Sequence, residues 1–524
     1  MDISVFEIIG PVMIGPSSSG TGGMARLGKA ANHFLDAPVK AIDLKFHPRF
    51  HHYPGLRSHY ALIGGILGMD PRDPEIKNAM DIAKSKGITC TGSWIKPPYP
   101  KDAHTVLFTL TQIDGKVRTV LGASIGGGQI DVFEVDGFKV DLSCTEKHLF
   151  VWAERDITPE LESLIPNNTG IKLSTNNDIM LHYMGVPADI DESVAEDIRK
   201  VEGVERVLFT EPFLELGFTP HKPLFSSCEE LIRLSDESGK DISELAIEYE
   251  MQRSGRSRET IWNMMVENLN YMKTCTYNGI ATVHNTLFGL GGGDAQRMQK
   301  AVDEGKTFGG STLGRSIAKA LGVMETGMSM DRVVAAPTGG SAGIVPGTFL
   351  TIQEDTGCSD EQLIRALFTA AALGVIMFSR DCNFSGQAGG CQGEVGVSSA
   401  IAAAGLAYLG GGSPRMCCEA MALSLKNMLG LICDPIGNCT EVPCIKRNGI
   451  GVSNAFVGCD MALAGIVSRV SPDHVIDALH NTQMHLPTVL RGGAGGLCCT
   501  PESDEYAKTT DKINKDLLLT PSNE

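Results

Sequence analysis

The sequence predicts a multidomain protein: an α/β N-terminal domain over residues 1–140, a ferredoxin-like α+β module over 141–216, and a mostly α-helical C-terminal domain over 217–524. Three observations carry this reading. Short strand-like runs and glycine-rich turns alternate with helical patterns in the first segment. The second segment reads strand, helix, strand, strand, helix, strand. From about residue 225 the apolar positions recur at the helical period and glycine-rich loops punctuate them.

In the first segment, Val5-Phe6-Glu7-Ile8-Ile9 reads as a short strand ended by Gly10-Pro11. Gly15 to Gly23 is a loop rich in hydroxyls and glycine (Ser17, Ser18, Ser19, Gly20, Thr21) that opens a helix over Met24 to Phe34. Free N–H groups and hydroxyls at a helix start suit an anion, and they equally suit an ordinary serine cap. A histidine-dense stretch follows, with His47, His51, His52 and His59 interleaved by Arg49 and Arg57. It lacks the H-E-x-x-H spacing, so a polar loop or an anion-gripping wall fits better than a zinc site. Residues 60–87 read as two helices broken at Asp70-Pro71, and Ser124 to Gly128 reads as a glycine-rich turn between strands.

The middle segment gives strands near His148–Ala153, Gly170–Ser174, Met180–Met184 and Val204–Thr210, with helices at Pro159–Leu164 and Glu192–Val201. In the last segment the helices Gln362–Phe378, Val397–Leu409 and Cys418–Leu431 alternate with loops that carry cysteines. The most apolar run, Ala366–Phe378, is expected as a buried helix, too short by itself to span a bilayer. The tail from Pro501 is polar and charged and is expected to be poorly ordered.

Composition bounds the function. A net charge of −17 without a Lys/Arg cluster argues against nucleic acid. The N-terminus lacks a basic region followed by an apolar run, so no signal peptide is expected. An odd count of fifteen cysteines then predicts reduced thiols in the cytoplasm, some of them metal ligands. Neither Gly289–Asp294 nor Pro337–Gly343 has the spacing of a nucleotide-binding loop.

The chemistry centres on Gly389-Gly390-Cys391-Gln392-Gly393-Glu394-Val395-Gly396, read with Cys433-Asp434-Pro435 and Glu441-Val442-Pro443-Cys444. The intervals of 42 and 11 residues match neither a compact ferredoxin run nor a paired CxxC zinc site. Three thiolates gathered by folding can hold three irons of a four-iron cube. Buried structural cysteine is the competing reading for each. Cys417, Cys418 and Cys459 lie on apolar helices and read as core packing.

These motifs resemble the iron–sulfur-dependent L-serine dehydratases (L-serine ammonia-lyases), in the single-chain form that joins a β domain to an α domain. The likeness runs nearly end to end, through Ile9–Ser19, Ser254–Glu259, Ala335–Gly343, Gly390–Gly396, Cys433–Pro435 and Val442–Asn448. The middle module is similar to the ACT-like domain of some members. The resemblance implies a [4Fe–4S] cluster on Cys391, Cys433 and Cys444, with one open iron acting as Lewis acid and sensitive to oxygen. It implies loss of water and ammonia from L-serine or a related β-hydroxy acid to give a 2-oxo acid. Ser17, Ser18, Ser19, Thr21, Asp294, Thr338 and Ser341 are the implied substrate-binding residues, and a homodimer is expected with no membrane partner.

The sequence departs from the family where histidines are expected. Gly20 stands in the family's Ser-Ser-Ser-His-Thr, and Gly55-Leu56-Arg57-Ser58-His59 stands against Gly-His-Gly-Thr-Asp. One reading has His59 or His52 supply the base from a shifted position. Another has Arg57 grip an extra anionic group on a changed substrate. A cluster-bearing binding or sensor protein without lyase activity is a third. A pyridoxal-phosphate lyase would need a Schiff-base lysine, and Lys446 reads better as a neighbour of Cys444. Cys498 or Cys499 would be the candidate to cap the open iron, against a structural role.

Overall fold

The computed structural model of the chain describes residues 3–50, 55–100, 102–214, 216, 221–492, 495–515 and 520–521. It shows two sheet-bearing regions followed by a largely helical one, in the order expected.

The first residues depart from expectation. Val5–Ile8 is a helical turn, not a strand, with Ser4 and Glu7 forming a reciprocal capping box. It is held by the helical region: Ser4 Oγ donates to Glu250 Oε1 at 2.9 Å, Val5 N–H donates to Glu250 Oε2 at 2.9 Å, and the Phe6 ring meets Phe368 edge-on at 6.4 Å. An apolar run this short carries no period of its own, so the tertiary partner decides. The strand β1 (Val12–Ile14) follows and pairs antiparallel with the distant Arg332–Val334. This stitch brings the serine-rich loop after β1 beside the Pro337–Gly343 loop. A Cβ on Gly339 would sit 2.9 Å from Ser18 N, so only glycine permits that approach.

The main sheet contains β2 (Val39–Phe46), β3 (Thr89–Trp94), β4 (Thr105–Gln112), β5 (Val117–Gly126), β6 (Gln129–Val135) and β7 (Phe138–Lys139), with the two-residue strand Thr520–Pro521 at one edge. The strand β2 runs parallel to β3 and antiparallel to β4, and β4 to β7 form a meander. Alternation fixes the faces: Ile42, Leu44 and Phe46 of β2 and Val106, Phe108 and Leu110 of β4 all point to the core. Helices Gly23–Asn32 and Ser58–Ile66 cross there at Gly28 and Gly65, where a side chain would strike the partner's backbone.

The four-stranded sheet holds β8 (Lys147–Ala153), β9 (Lys172–Asn176), β10 (Ile179–Val186) and β11 (Val204–Thr210) in the order β11-β8-β10-β9, all antiparallel. Helices Thr158–Leu164 and Val194–Ile198 complete the strand-helix-strand-strand-helix-strand sequence. The strand β8 is buried on both faces. Leu149 and Val151 join the module's own core, while Phe150 and Trp152 join that of the preceding region, with the Phe34 and Phe150 rings 5.3 Å apart.

In the helical region Asp360–Ser379 is the central helix, and it is longer than the apolar run within it. By length and composition it is apolar enough to cross a membrane, but 78% of its apolar window is buried in the protein core. The tail is ordered where described: Pro501–Lys515 is helical, Thr510 is buried, and its Oγ1 donates to Gly437 O at 2.7 Å. The expectation of a poorly ordered tail is therefore corrected over residues 501–515. A polar helix needs only one satisfied face to dock.

Candidate active site

Three loops of the helical region converge with the serine-rich loop. Gly390 has φ 79°, a left-handed conformation suited to glycine, and it turns the chain into Cys391. Gln392 ties that turn to the next cysteine-bearing loop: its N–H donates to Leu431 O at 3.0 Å and its Oε1 accepts from Gly430 N at 2.9 Å. Cys433 follows two residues on. Cys444 begins the helix Cys444–Leu463. Asn448, one turn into that helix, donates from Nδ2 to both Cys444 O and Gly340 O at 2.9 Å.

The three predicted cysteines thus meet, and all are buried. Cys433 lies within hydrogen-bonding reach of Cys391, and this contact together with burial holds its thiol well above the usual range. Burial raises Cys444 in the same sense, helped by Cys391 and Glu394. Arg447 supplies the opposing charge: its Nη1 lies 3.4 Å from Cys391 Sγ and its Nη2 pairs with Asp434 Oδ1 at 2.6 Å. Among the described residues no three Cys, His, Asp or Glu side chains surround a single point as a mononuclear ion requires. A cube spreads its thiolates over separate irons, so clustered buried thiols beside a cation fit that group as a donor set.

Cys433 and Cys444 open onto a cavity of about 50 Å³, whose wall includes Ser17, Ser19, Leu56, His104, Ser385 and Glu394. Drug-sized ligands occupy roughly 300 Å³ or more, so this cavity suits a substrate of few atoms. Ser17 caps the following turn, its Oγ accepting from Gly20 N at 2.9 Å, and Thr21 Oγ1 donates to Leu56 O at 2.8 Å. Ser18 is buried but does not line the cavity. Thr338 and Ser341 lie behind the wall with their hydroxyls 3.0 Å apart.

Of the other predicted residues, Asp294 sits off the cavity wall, paired with Lys446 at 2.6 Å and Arg297 at 2.5 Å. His59 is buried in the helix Ser58–Ile66 with its ring 4.7 Å from Tyr60, also off the wall. Arg57 lies over the Tyr60 ring at 5.0 Å. His52 falls outside the described residues. Cys498 Sγ lies 3.2 Å from Pro435 O, and the adjacent Leu497 N–H donates to Asp434 Oδ2 at 2.9 Å, so that turn rests against the loop of Cys433.

Two wall residues escaped the sequence reading. Glu394 lies within the cysteine motif, three residues after Cys391, and burial pushes its carboxyl up to about 7 against the Thr338 hydrogen bond. The spacing was the available signal. His104 had none. It precedes β4, packs edge-on against Phe50 at 4.6 Å, and burial pushes its imidazole down to about 4 although Asp102 opposes this. Leu56 fills the space above Gly20, where any Cβ would overlap its side chain. The two expected histidine positions have become one apolar contact.

Comparison with known proteins identifies the family. The family described as serine dehydratase alpha chain matches residues 237–497. A probable L-serine dehydratase alpha chain of Bacillus subtilis is 43% identical over 286 residues, covering 54% of this chain and 95% of its own length. The L-serine dehydratase alpha chain of Peptoniphilus asaccharolyticus is 32% identical over 296 residues, covering 56% of this chain and 99% of its own. L-serine dehydratase 1 of Escherichia coli is 28% identical over 516 residues, 96% of this chain and 100% of that protein. The chain belongs to the L-serine dehydratase family.

Proposed function

We propose that this protein is an iron–sulfur hydro-lyase that converts L-serine to pyruvate and ammonia. The grouping of Cys391 with Cys433 and Cys444, the latter two on the wall of one small cavity, in a chain of this family, carries the reading. The three thiolates would hold a [4Fe–4S] cluster, which supplies a Lewis-acidic iron able to polarise the β-hydroxyl. Ser17 and Ser19, both on the cavity wall, would orient the substrate carboxylate. Leu56 and the buried wall exclude bulk water. His104 takes the α-proton, since it is the histidine on the described wall and burial keeps its imidazole neutral. Loss of the proton and of the β-hydroxyl leaves an enamine, which gives pyruvate and ammonia on tautomerisation and hydrolysis.

The changed-substrate reading through Arg57 has less support, because Arg57 stacks on Tyr60 and is absent from the wall. The strand order of the middle sheet supports an ACT-like regulatory module.

The test is 2-oxo acid release from anaerobically reconstituted protein, with L-serine beside a panel of β-hydroxy acids. Turnover of serine is expected, and His104→Asn is expected to slow it about 10²–10⁴-fold. Full activity in His104→Asn would remove that residue from the chemistry. An intact cluster with no turnover of any panel member would overturn the lyase reading.

A further inference from the structure

The helix Cys444–Leu463 has one face in the core and one towards solvent. Asn448, Val452, Ala455 and Cys459 are buried, and the helix packs against Gly310–Met328, Val397–Leu409 and Pro414–Lys426. At about 100° per residue the outward stripe is Lys446, Ile450, Ser453, Val457, Asp460 and Ala464, spread over only about 80° of the helix. Ile450 is 54% exposed and Val457 48%. Leu463, Ile466, Val467 and Val470 add exposed apolar surface where the helix ends. Single exposed apolar residues are ordinary, but an apolar seam on the outer face of a packed helix marks a contact surface.

The ends of this seam carry opposite charges. Lys446 lies near the helix start, half-exposed, and Asp460 lies exposed near its end. An ammonium has three donors, so Lys446, already paired with Asp294 at 2.6 Å, can take a second carboxylate. Among the described residues Asp460 has no ion-pair partner. Between them Ser453 is small, and its hydroxyl donates to Gly449 O at 2.9 Å within the helix. Lys446 and Asp460 stand the same number of residues before and after Ser453, each about 10 Å away along the axis.

We propose that this face is the docking surface for a second copy of the chain, the two helices crossing antiparallel at Ser453 about a twofold axis. Such a crossing brings Lys446 of each copy level with Asp460 of the other, and Ile450 within about 1.5 Å of the level of Val457. The small central residue lets the helix axes approach to about 8 Å. A parallel pairing would set lysine on lysine and aspartate on aspartate, and like charges side by side destabilise a helix pair. An isologous interface must complement itself, and this stripe does so in charge, size and spacing. The surface does not depend on the reaction proposed above.

Sedimentation equilibrium of the full chain at micromolar loading tests the surface. The wild type is expected at twice the 55.9 kDa chain mass. Ile450→Glu and, independently, Val457→Glu are each expected to raise the dimer dissociation constant at least about tenfold. Asp460→Lys sets lysine against Lys446 across the axis at two symmetric places and is expected to raise it about tenfold. Circular dichroism and thermal melts matching the wild type show which variants are folded. A monomeric wild type would give the face to a different partner and overturn the proposal. A dimer undiminished in a folded variant of Ile450 or Val457 would place the interface elsewhere. A dimer undiminished in Asp460→Lys would refute the antiparallel seam, because a parallel pairing already sets like charges together there. Failure of serine turnover in a dimeric wild type would count against the function proposed above and leave this surface assigned.

Discussion

Glu441 offers the sharpest perturbation of the loops that carry the clustered cysteines. Its carboxylate is 1% exposed and accepts from Thr286 Oγ1 at 2.6 Å, Phe288 N at 2.7 Å and Leu290 N at 2.8 Å. It thereby ties the 286–291 loop to the segment that ends, three residues later, in Cys444. Glu441→Ala would take the acceptor from the Phe288 and Leu290 N–H groups, while Thr286 Oγ1 keeps Gly291 O at 3.2 Å. At about 2 kcal/mol for each of the two bonds to a charged acceptor, the loss is about 4 kcal/mol. Glu441→Gln can keep the two bonds to Oε2 and turns an N–H towards Phe288 N–H, for a loss of about 2 kcal/mol. A protein of several domains need not unfold in one step, so the readout should be local. Exchange of the Phe288 and Leu290 amides should accelerate about 10³-fold in the alanine variant and about 30-fold in the glutamine variant. Iron retained after reconstitution should fall in the same order. Exchange within about threefold of wild type in both variants would show that Glu441 holds nothing.

Two further outcomes follow from packing and burial. Gly20→Ala should cost about 1–3 kcal/mol by forcing Leu56 aside, while Gly20→Ala combined with Leu56→Ala should cost about 1–2 kcal/mol less than the sum of the single changes; strict additivity would refute the contact. Burial pushes the Glu250 carboxyl up to about 7, so its ionisation is harder in the folded chain than in the unfolded one. Stability should therefore be greatest below the unfolded value near 4.5, fall as pH rises between the two values by about 3 kcal/mol, and level off above 7. Glu250→Gln should flatten that slope, and denaturation curves with an unchanged slope would contradict the assignment.

What the sequence disclosed tracked how local the cause was. The helices around the cysteine loops were legible because their apolar runs persist over three or more turns, longer than a strand, as in Val397–Leu409. The middle module was legible because β8 to β11 alternate with short helices and clean turns. Val5–Ile8 was misread as a strand although Ser4 and Glu7 carried a capping-box signature, since four apolar-rich residues fit either period. The cysteines came from motif likeness, and spacing alone left them ambiguous. His104 was invisible because its place on the cavity wall, just before β4, depends on residues far away in sequence, among them Ser385 and Cys444. The loss of both family histidines was visible in the sequence. Its physical meaning, Leu56 closing onto Gly20, needed the fold.

The most direct test is pyruvate release from L-serine by the anaerobically reconstituted protein, measured beside Cys433→Ser with iron counted in both. Serine turnover in the wild type, with iron and turnover both lost in the variant, is the predicted result. Undiminished turnover in Cys433→Ser, or an iron-replete wild type that releases no pyruvate, would contradict the account.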